Sequence, residues 1–282
     1  MKWPVATASG THDAYAYTGG KPFDPRLPCI VFLHGALNDH SVWTLNARWF
    51  AHHGHDVLAL DLPAHGRSGG APLASIEALA DWLLALLDAA GVEKVALVGH
   101  SMGSLLALET ASRAPTRATQ LVMVGTAYPM KVSAALLDSA RSDAMQAIDA
   151  VNAFSHSSLA AKPSYPGPGT WLHGASRALM RRTQSGQRST NLFLNDFEVC
   201  DRYAGGLAAA TRVACPTTLV LGAHDQMTQP SRAAEIGAAL RATTVTIACG
   251  HAVQTEAPEE LLAALRVALA PTPASESASA AR

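Results

Sequence analysis

The chain has 282 residues, of which 49% are hydrophobic and 15% charged, with a formal net charge of -1. That length and apolar fraction suit one large α/β domain with an insertion, or two smaller domains. Scattered charge leaves no basic patch for a nucleic acid, no uninterrupted apolar run reaches the length of a membrane span, and Cys29, Cys200, Cys215 and Cys249 lack zinc-type spacing. In chain order, residues 3–8 and 13–17 read as two short strands joined by Ser9-Gly10-Thr11-His12. A buried-type strand spans 29–33 and runs into the loop His34-Gly35-Ala36-Leu37-Asn38-Asp39. A helix is expected over 43–53, its end carrying the solvated cluster His52, His53 and His55. A strand follows at 56–60, then a turn-rich loop through Arg67 to Gly70.

The clearest helix is 75–90, where Ile76, Leu79, Ala80, Leu83, Leu87 and Ala90 keep the spacing of one buried face. Ser75 suits its N-cap, Glu77 its positive end and Gly91 its stop. A strand at 94–98, a helix at 102–113 and a strand at 120–124 come next. This alternation implies parallel pairing and right-handed crossovers. Between about 127 and 212 the pattern is helical throughout: 133–154 is amphipathic, Pro163, Pro166, Gly167, Pro168 and Gly169 break the run, and helices follow near 171–184 and 190–203. Alternation resumes with a strand at 217–221, a helix near 231–240, a strand at 243–248 and a helix at 256–269. Residues 270–282, rich in Ala, Ser, Pro and Glu, read as a disordered tail.

Gly99-His100-Ser101-Met102-Gly103 sits between the apolar run Val95–Val98 and a helical pattern, which reads as strand, sharp turn, helix with a serine at the apex. A serine hydroxyl needs a base to take its proton and donors to hold the oxyanion that forms. Asp225 lies just past the strand at 217–221 and His251 just past the strand at 243–248. Singly, Asp225 reads equally as a turn former or cap, and His251 as a packed loop histidine. Together they stand in the order serine, acid, histidine, each at the carboxyl end of a parallel strand, where open α/β sheets place their sites.

From about residue 13 to 269 the chain resembles the serine α/β-hydrolases. The resemblance rests on His34-Gly35 after a strand, Asp61-Leu62-Pro63 with His65-Gly66-Arg67-Ser68, the turn at 99–103, Asp225 and Gly250-His251. It implies a mostly parallel central sheet with helices on both faces, a core formed by 1–126 and 213–269, and a helical cap at 127–212. It further implies a Ser101-Asp225-His251 triad, with the backbone N–H groups of Ala36 and Met102 as oxyanion donors, and no cofactor or metal. Three departures stand out. Ser104 replaces the second glycine of the Met-Gly-Gly common in carbon-carbon bond hydrolases and cofactor-free haloperoxidases. Ala64 stands where relatives often have glycine, a change expected to affect packing alone. A serine nucleophile disfavours dehalogenases and epoxide hydrolases, which carry aspartate there.

His34 is expected to bind the loop backbone, His100 and His224 to point away from the triad, Asp61 and Arg67 to lock their loop, and Cys249 to be packed. Tyr128, Phe154 and Trp171 are expected to line the substrate pocket. Trp43, Met130, Met145 and Phe193 are further pocket or core residues. The activity implied is cleavage of a small to medium carboxylic ester through an acyl-enzyme on Ser101. A carbon-carbon bond hydrolase with the same triad is the alternative, in which Arg177, Arg181 or Arg188 would anchor a substrate carboxylate; so is a hydrolase-like receptor or regulator with little turnover. The expected partner is a small-molecule ester, with neither nucleic acid nor membrane. Nothing in the sequence specifies an oligomeric state. The first thirty residues lack the apolar stretch of a signal peptide, and the four cysteines read as reduced, mostly buried thiols, so the expected location is cytoplasmic.

Overall fold

A computed structural model describes residues 1–7, 10–158, 170–186 and 190–270. The Pro/Gly break at 163–169, Ser9 of the first turn, Arg188 and the tail from 271 onward lie outside the described residues. A hairpin opens the chain, β1 (Lys2–Thr7) and β2 (Gly10–Tyr17), followed by β3 (Cys29–Leu33). After a 3-10 turn at His40–Trp43 come α1 (Thr44–Ala51), β4 (Asp56–Leu60), α2 (Ile76–Ala89), β5 (Val95–His100), α3 (Met102–Arg113) and β6 (Ala118–Val124). Helices alone follow among the described residues: α4 (Ala134–Ser142), α5 (Ala144–Phe154), α6 (Leu172–Gly186), α7 (Leu192–Arg202) and α8 (Gly206–Ala210). The chain returns to the sheet with β7 (Thr217–Gly222), α9 (Ala234–Leu240) and β8 (Thr243–Ile247), and ends in α10 (Val253–Glu256) and α11 (Pro258–Ala268).

All eight strands form one sheet in the order β1-β2-β4-β3-β5-β6-β7-β8. The hairpin is antiparallel and joins β4 antiparallel; every pairing from β4 to β8 is parallel. Parallel neighbours need long crossovers, and the helices that make them cover both faces of the sheet. The strands are therefore apolar on both sides. Along β3, Cys29, Val31 and Leu33 enter one core with Leu83 and Leu87 of α2 and Leu105 and Leu108 of α3. Ile30 and Phe32 point the other way, into a second core with Phe50 of α1 and Leu261 and Leu265 of α11. Each such buried side chain contributes about 1.5–3 kcal/mol. Trp43 belongs to this second core, its ring 5.2 Å from that of Phe32, and not to a pocket.

A third apolar cluster lies over the carboxyl ends of the strands. Leu37 and Ala64, from the loops after β3 and β4, pack there with Ile148 and Val151 of α5, Met180 of α6 and Phe193 and Phe197 of α7. This cluster joins the helices between β6 and β7 to the loops of the sheet.

The stretch 133–154 divides into two helices where one was expected. Asp143 takes an extended backbone (φ -150) and its carboxylate accepts the N–H groups of Met145 and Gln146, so it caps α5 and stops α4. Apolar spacing continues across the break, which is why periodicity alone misses it. The helix expected over 256–269 is α11, opened by Pro258, with the short α10 ahead of it. Helix α8 was not anticipated.

Candidate active site

Strand β5 ends at His100 and α3 begins at Met102, so Ser101 alone makes the turn. Its φ of 52° and ψ of -121° are strained for a residue with a side chain, at a cost of about 1–3 kcal/mol. Both flanking glycines are required by close approach. A Cβ on Gly99 would collide with the carbonyl of Gly103, and one on Gly103 would stand 2.5 Å from the carbonyl oxygen of Leu33. Ser104 completes the turn: its hydroxyl donates to the carbonyl of Ser101 at 2.6 Å and lies 2.8 Å from Thr126 Oγ1, whose hydroxyl can donate to it.

Asp225 lies in the turn after β7 and His251 in the loop after β8. His251 Nδ1 stands 2.8 Å from Asp225 Oδ2. A carboxylate accepts, so the proton sits on Nδ1 and Nε2 is left as the basic nitrogen. The sequence did not single out Thr228, which closes this pair. Its hydroxyl donates to Asp225 Oδ2 at 2.7 Å and lies 3.1 Å from His251 Nδ1, while its N–H and that of Met227 both reach Asp225 Oδ1 at 2.8 Å. Burial of Asp225 alone would raise its pKa, but the neighbouring His251 and these hydrogen bonds outweigh it and hold the carboxyl below the usual range. Ser101 and His251 line the same cavity. No hydrogen bond joins the serine hydroxyl to the imidazole among the described residues; such bonds are often long before substrate binds.

The loop after β3 crosses the serine. A Cβ on Gly35 would come within 3.1 Å of Ser101 Cβ. His34 binds this loop as expected: Nδ1 lies 2.8 Å from the carbonyl of Gly35, and Nε2 accepts the N–H of Leu62 at 3.1 Å. A ring nitrogen that accepts an N–H carries no proton, so His34 is neutral; burial, helped by the neighbouring His65, lowers its pKa to about 4. His100 departs from expectation. It does not point away: its ring packs 4.7 Å from that of His251, and Nε2 lies 2.9 Å from the His251 carbonyl. Burial and the adjacent His251 lower its pKa to about 3. Residue 100 is the last of β5 and its side chain alternates onto the face that meets the β8 loop. His224 is exposed and Cys249 buried.

Asp61 locks the loop after β4, its carboxylate accepting the N–H groups of His40 (2.7 Å) and Arg67 (2.8 Å). Asp39, His40 and Asp61 bring ligand-type atoms within 4.8 Å of one another, yet Asp39 is taken by Ser41 and Arg182 and Asp61 by these loop donors, so they read as a lock and not a metal centre. Ala64 has a φ of 68°, so placing alanine where relatives have glycine is a conformational matter and not one of packing alone.

The cavity over Ser101 measures about 560 Å³. Its walls are mostly apolar, with Met130, Val132, Leu136, Val151, Phe154, Met180, Phe197 and Met227 among them, and Cys200 at its side. Phe154 lines it as expected, at the mouth, being 56% exposed. Tyr128 and Trp171 do not. The Tyr128 hydroxyl donates to the carbonyl of Ala204 and accepts the N–H of Gly206, so the ring is spent on seating α8, a helix the sequence did not reveal. Trp171 lies outside the cavity wall, half exposed, against His173 and Gly174. Met145 and Phe193 belong to the third apolar cluster. Arg177 and Arg181 both pair with Asp149, lowering that carboxyl to about 2 through the Arg177 hydrogen bond first, and neither lines the cavity. Lys131, the one lysine or arginine in the wall among the described residues, donates to the carbonyl of Asp201.

Glu256 and Asp196 escaped sequence reading, and His65 entered it only as part of a loop motif. Glu256 accepts the N–H of Gly250 at 2.8 Å and both the N–H and hydroxyl of Ser157 at 2.6 Å, tying the histidine loop to the end of α5. Asp196 and His65 tie α7 to the loop over the serine. Side-chain pairs so distant along the chain leave no local spacing to read.

A family model described as alpha/beta hydrolase fold matches residues 28–258. The chain is 37% identical over 99 residues to a dihydrolipoyllysine-residue acetyltransferase component of an acetoin cleaving system from Pseudomonas putida, covering 35% of this chain and 26% of that protein. It is 38% identical over 102 residues to an sn-1-specific diacylglycerol lipase from Mus musculus, covering 36% and 33%. These matches thus span only about a quarter to a third of the relatives' own length. The fold is similar to that of an enol-lactonase from Burkholderia xenovorans LB400, with a TM-score of 0.76 at 20% identity over 95% of this chain and 100% of the other. No described helix is long and apolar enough to cross a membrane. With the parallel sheet, the strained serine turn and a family match running through most of its length, the chain belongs to the α/β-hydrolase family.

Proposed function

We propose that the protein is a serine hydrolase that cleaves small to medium carboxylic esters without a net charge. The observation that carries this reading is the buried Asp225–His251 pair at 2.8 Å, whose histidine lines the same apolar cavity as a serine held at the apex of a strained turn. Ser101 Oγ attacks the ester carbonyl as His251 Nε2 takes its proton. Asp225 holds the tautomer and stabilises the imidazolium, which then protonates the leaving alcohol. The N–H groups of Ala36 and Met102 hold the tetrahedral oxyanion, each such donor being worth about 3–4 kcal/mol of barrier. Water, activated by the same histidine, releases the acid. The helices within 127–212 act as a cap whose inner face forms the apolar wall. The names of the lipase and the lactonase relatives, both of them ester-cleaving, agree with this chemistry. Cys29, Cys200, Cys215 and Cys249 form no disulfide, which suits a reducing, cytoplasmic setting.

The cavity wall also bears on the carbon-carbon alternative. Arg177 and Arg181, which would have held a substrate carboxylate, are neutralised by Asp149 outside it. A neutral acyl group fits such a wall better, since an unpaired carboxylate there loses its hydration.

The test is a panel of chromogenic esters of varied acyl length, neutral or ending in a carboxylate, run under multiple turnover. Neutral esters are expected to be cleaved repeatedly and the acidic ones at least tenfold more slowly. Ser101→Ala is expected to lower kcat by on the order of 10⁴-fold or more while keeping the fold. Release of one equivalent followed by a stall supports the receptor alternative instead. Retention of most of the rate by Ser101→Ala rules out the serine mechanism.

A further inference from the structure

The loop that crosses Ser101 contains a left-handed residue, Leu37, with a φ of 54°. An L side chain disfavours that conformation, so something must hold it. Its side chain is fully buried in the third apolar cluster. Its N–H donates to Asp196 Oδ2 at 2.9 Å, and Asp196 belongs to α7, 159 residues further along the chain. The same oxygen lies 2.9 Å from His65 Nε2, while His65 Nδ1 lies 3.0 Å from the carbonyl of Pro63. A carbonyl and a carboxylate both accept, so each ring nitrogen of His65 must donate, and the ring is an imidazolium. Burial alone would lower the pKa of His65; the charge and hydrogen bond of Asp196 outweigh it and raise it. Both partners are almost completely buried, and a charged pair there holds its geometry only while both members are present.

We propose that Asp196 is a positioning residue for the oxyanion hole: clamped by His65, it fixes the Ala36–Leu37 peptide and so sets the direction of the Ala36 N–H. This rests on the hydrolase reading above. The two peptide planes meet at the Ala36 α-carbon. With the Leu37 N–H tied down and Leu37 forced left-handed, the turn closes as Asn38 N–H reaches the carbonyl of Gly35 at 3.2 Å. The peptide carrying the Ala36 N–H is thereby set against the serine. A carboxylate on a helix of the segment between β6 and β7 thus completes a catalytic feature built on the sheet. Asp196 touches no reacting atom. It acts through Leu37.

The test compares wild type with Asp196→Asn and His65→Gln. The amide of Asp196→Asn has no charge to keep His65 doubly protonated, and one ring nitrogen then faces an acceptor without a proton. A misplaced oxyanion donor is expected to lower kcat by about 10–100-fold with KM within twofold, because the donor acts on the transition state and hardly on bound ester. A boronic acid that forms a tetrahedral adduct on Ser101 is expected to bind more weakly by the same factor. The product alcohol, a ground-state ligand, is expected to bind as before. His65→Gln keeps one N–H toward Asp196 and is expected to lose about 3–10-fold in kcat with the same split; it decides the matter if Asp196→Asn does not fold. Unchanged kcat in folded variants, or a rise in KM with kcat intact, overturns the proposal and leaves the contact as packing. Full turnover in Ser101→Ala, or none in wild type, overturns the hydrolase reading and this one with it.

Discussion

His34 and His65 pack with tilted rings, their centroids 4.8 Å apart, and yet hold different numbers of protons. His34 accepts an N–H and is neutral; His65 donates from both nitrogens and is charged. The two therefore push stability in opposite directions with pH. His34 and His100 have folded values of about 4 and 3 against an ordinary value of 6.5, so the unfolded chain binds protons that the folded one refuses. Their contribution is complete above about pH 6.5 and is lost as pH falls, at about 1.4 kcal/mol per pH unit for each. His55 and His173, lowered by partial burial, add in the same sense. His65, raised, gives stability that is complete below about 6.5 and lost as pH rises through its folded value. The melting temperature is expected to peak near neutrality and to fall at least twice as steeply on the acid side. Thermal melts from pH 4 to 9 check this, and a flat profile between pH 7 and 5 contradicts it. At this scale the sequence offered Ser101, Asp225 and His251 as candidates, because a turn between a strand and a helix and two strand ends are local patterns. It could not announce Thr228, whose place depends on how the turn after β7 folds back, nor the inward ring of His100, which depends on what covers β5.

Helices α4 to α7 show where periodicity stops being sufficient. It located apolar faces over 133–154, 171–184 and 190–203, but apolar spacing is blind to which partner a face meets. Phe154 ends α5 at the cavity mouth, whereas Trp171 precedes α6 and packs against His173 outside it. Phe154→Ala is therefore expected to shift acyl-length preference toward longer chains, by roughly tenfold in relative kcat/KM. Trp171→Ala is expected to leave the preference within twofold. Kinetics on an acyl series from acetate to decanoate measures both. Equal shifts in the two variants would place the acyl end elsewhere. The break at Asp143 was hidden for a related reason: its capping carboxylate competes with a helical pattern that runs on undisturbed.

At the scale of the molecule, the parallel strands were legible because sheets covered on both faces demand unbroken apolar runs such as Cys29–Leu33 and Val95–Val98. What was not legible is the third cluster, in which Leu37 and Ala64 share one core with α5, α6 and α7. It makes the helices over the site part of the same packed body as the loops beneath them. Three of the cysteines sit at different depths of that body and supply a clock for its opening. Cys29 lies in a central strand and Cys200 beside the cavity, both buried with their thiols pushed well above the usual range; Cys215 is half-buried, pushed up to about 11. Thiol reagents attack thiolates, so each cysteine reacts at the rate at which its surroundings come apart. Cys215 is expected to react first, Cys200 next and Cys29 last, as followed by mass spectrometry of alkylated peptides over time. If Cys200 and Cys29 react in step, the segment over the site does not breathe on its own, and substrate enters through a gap that exists at rest.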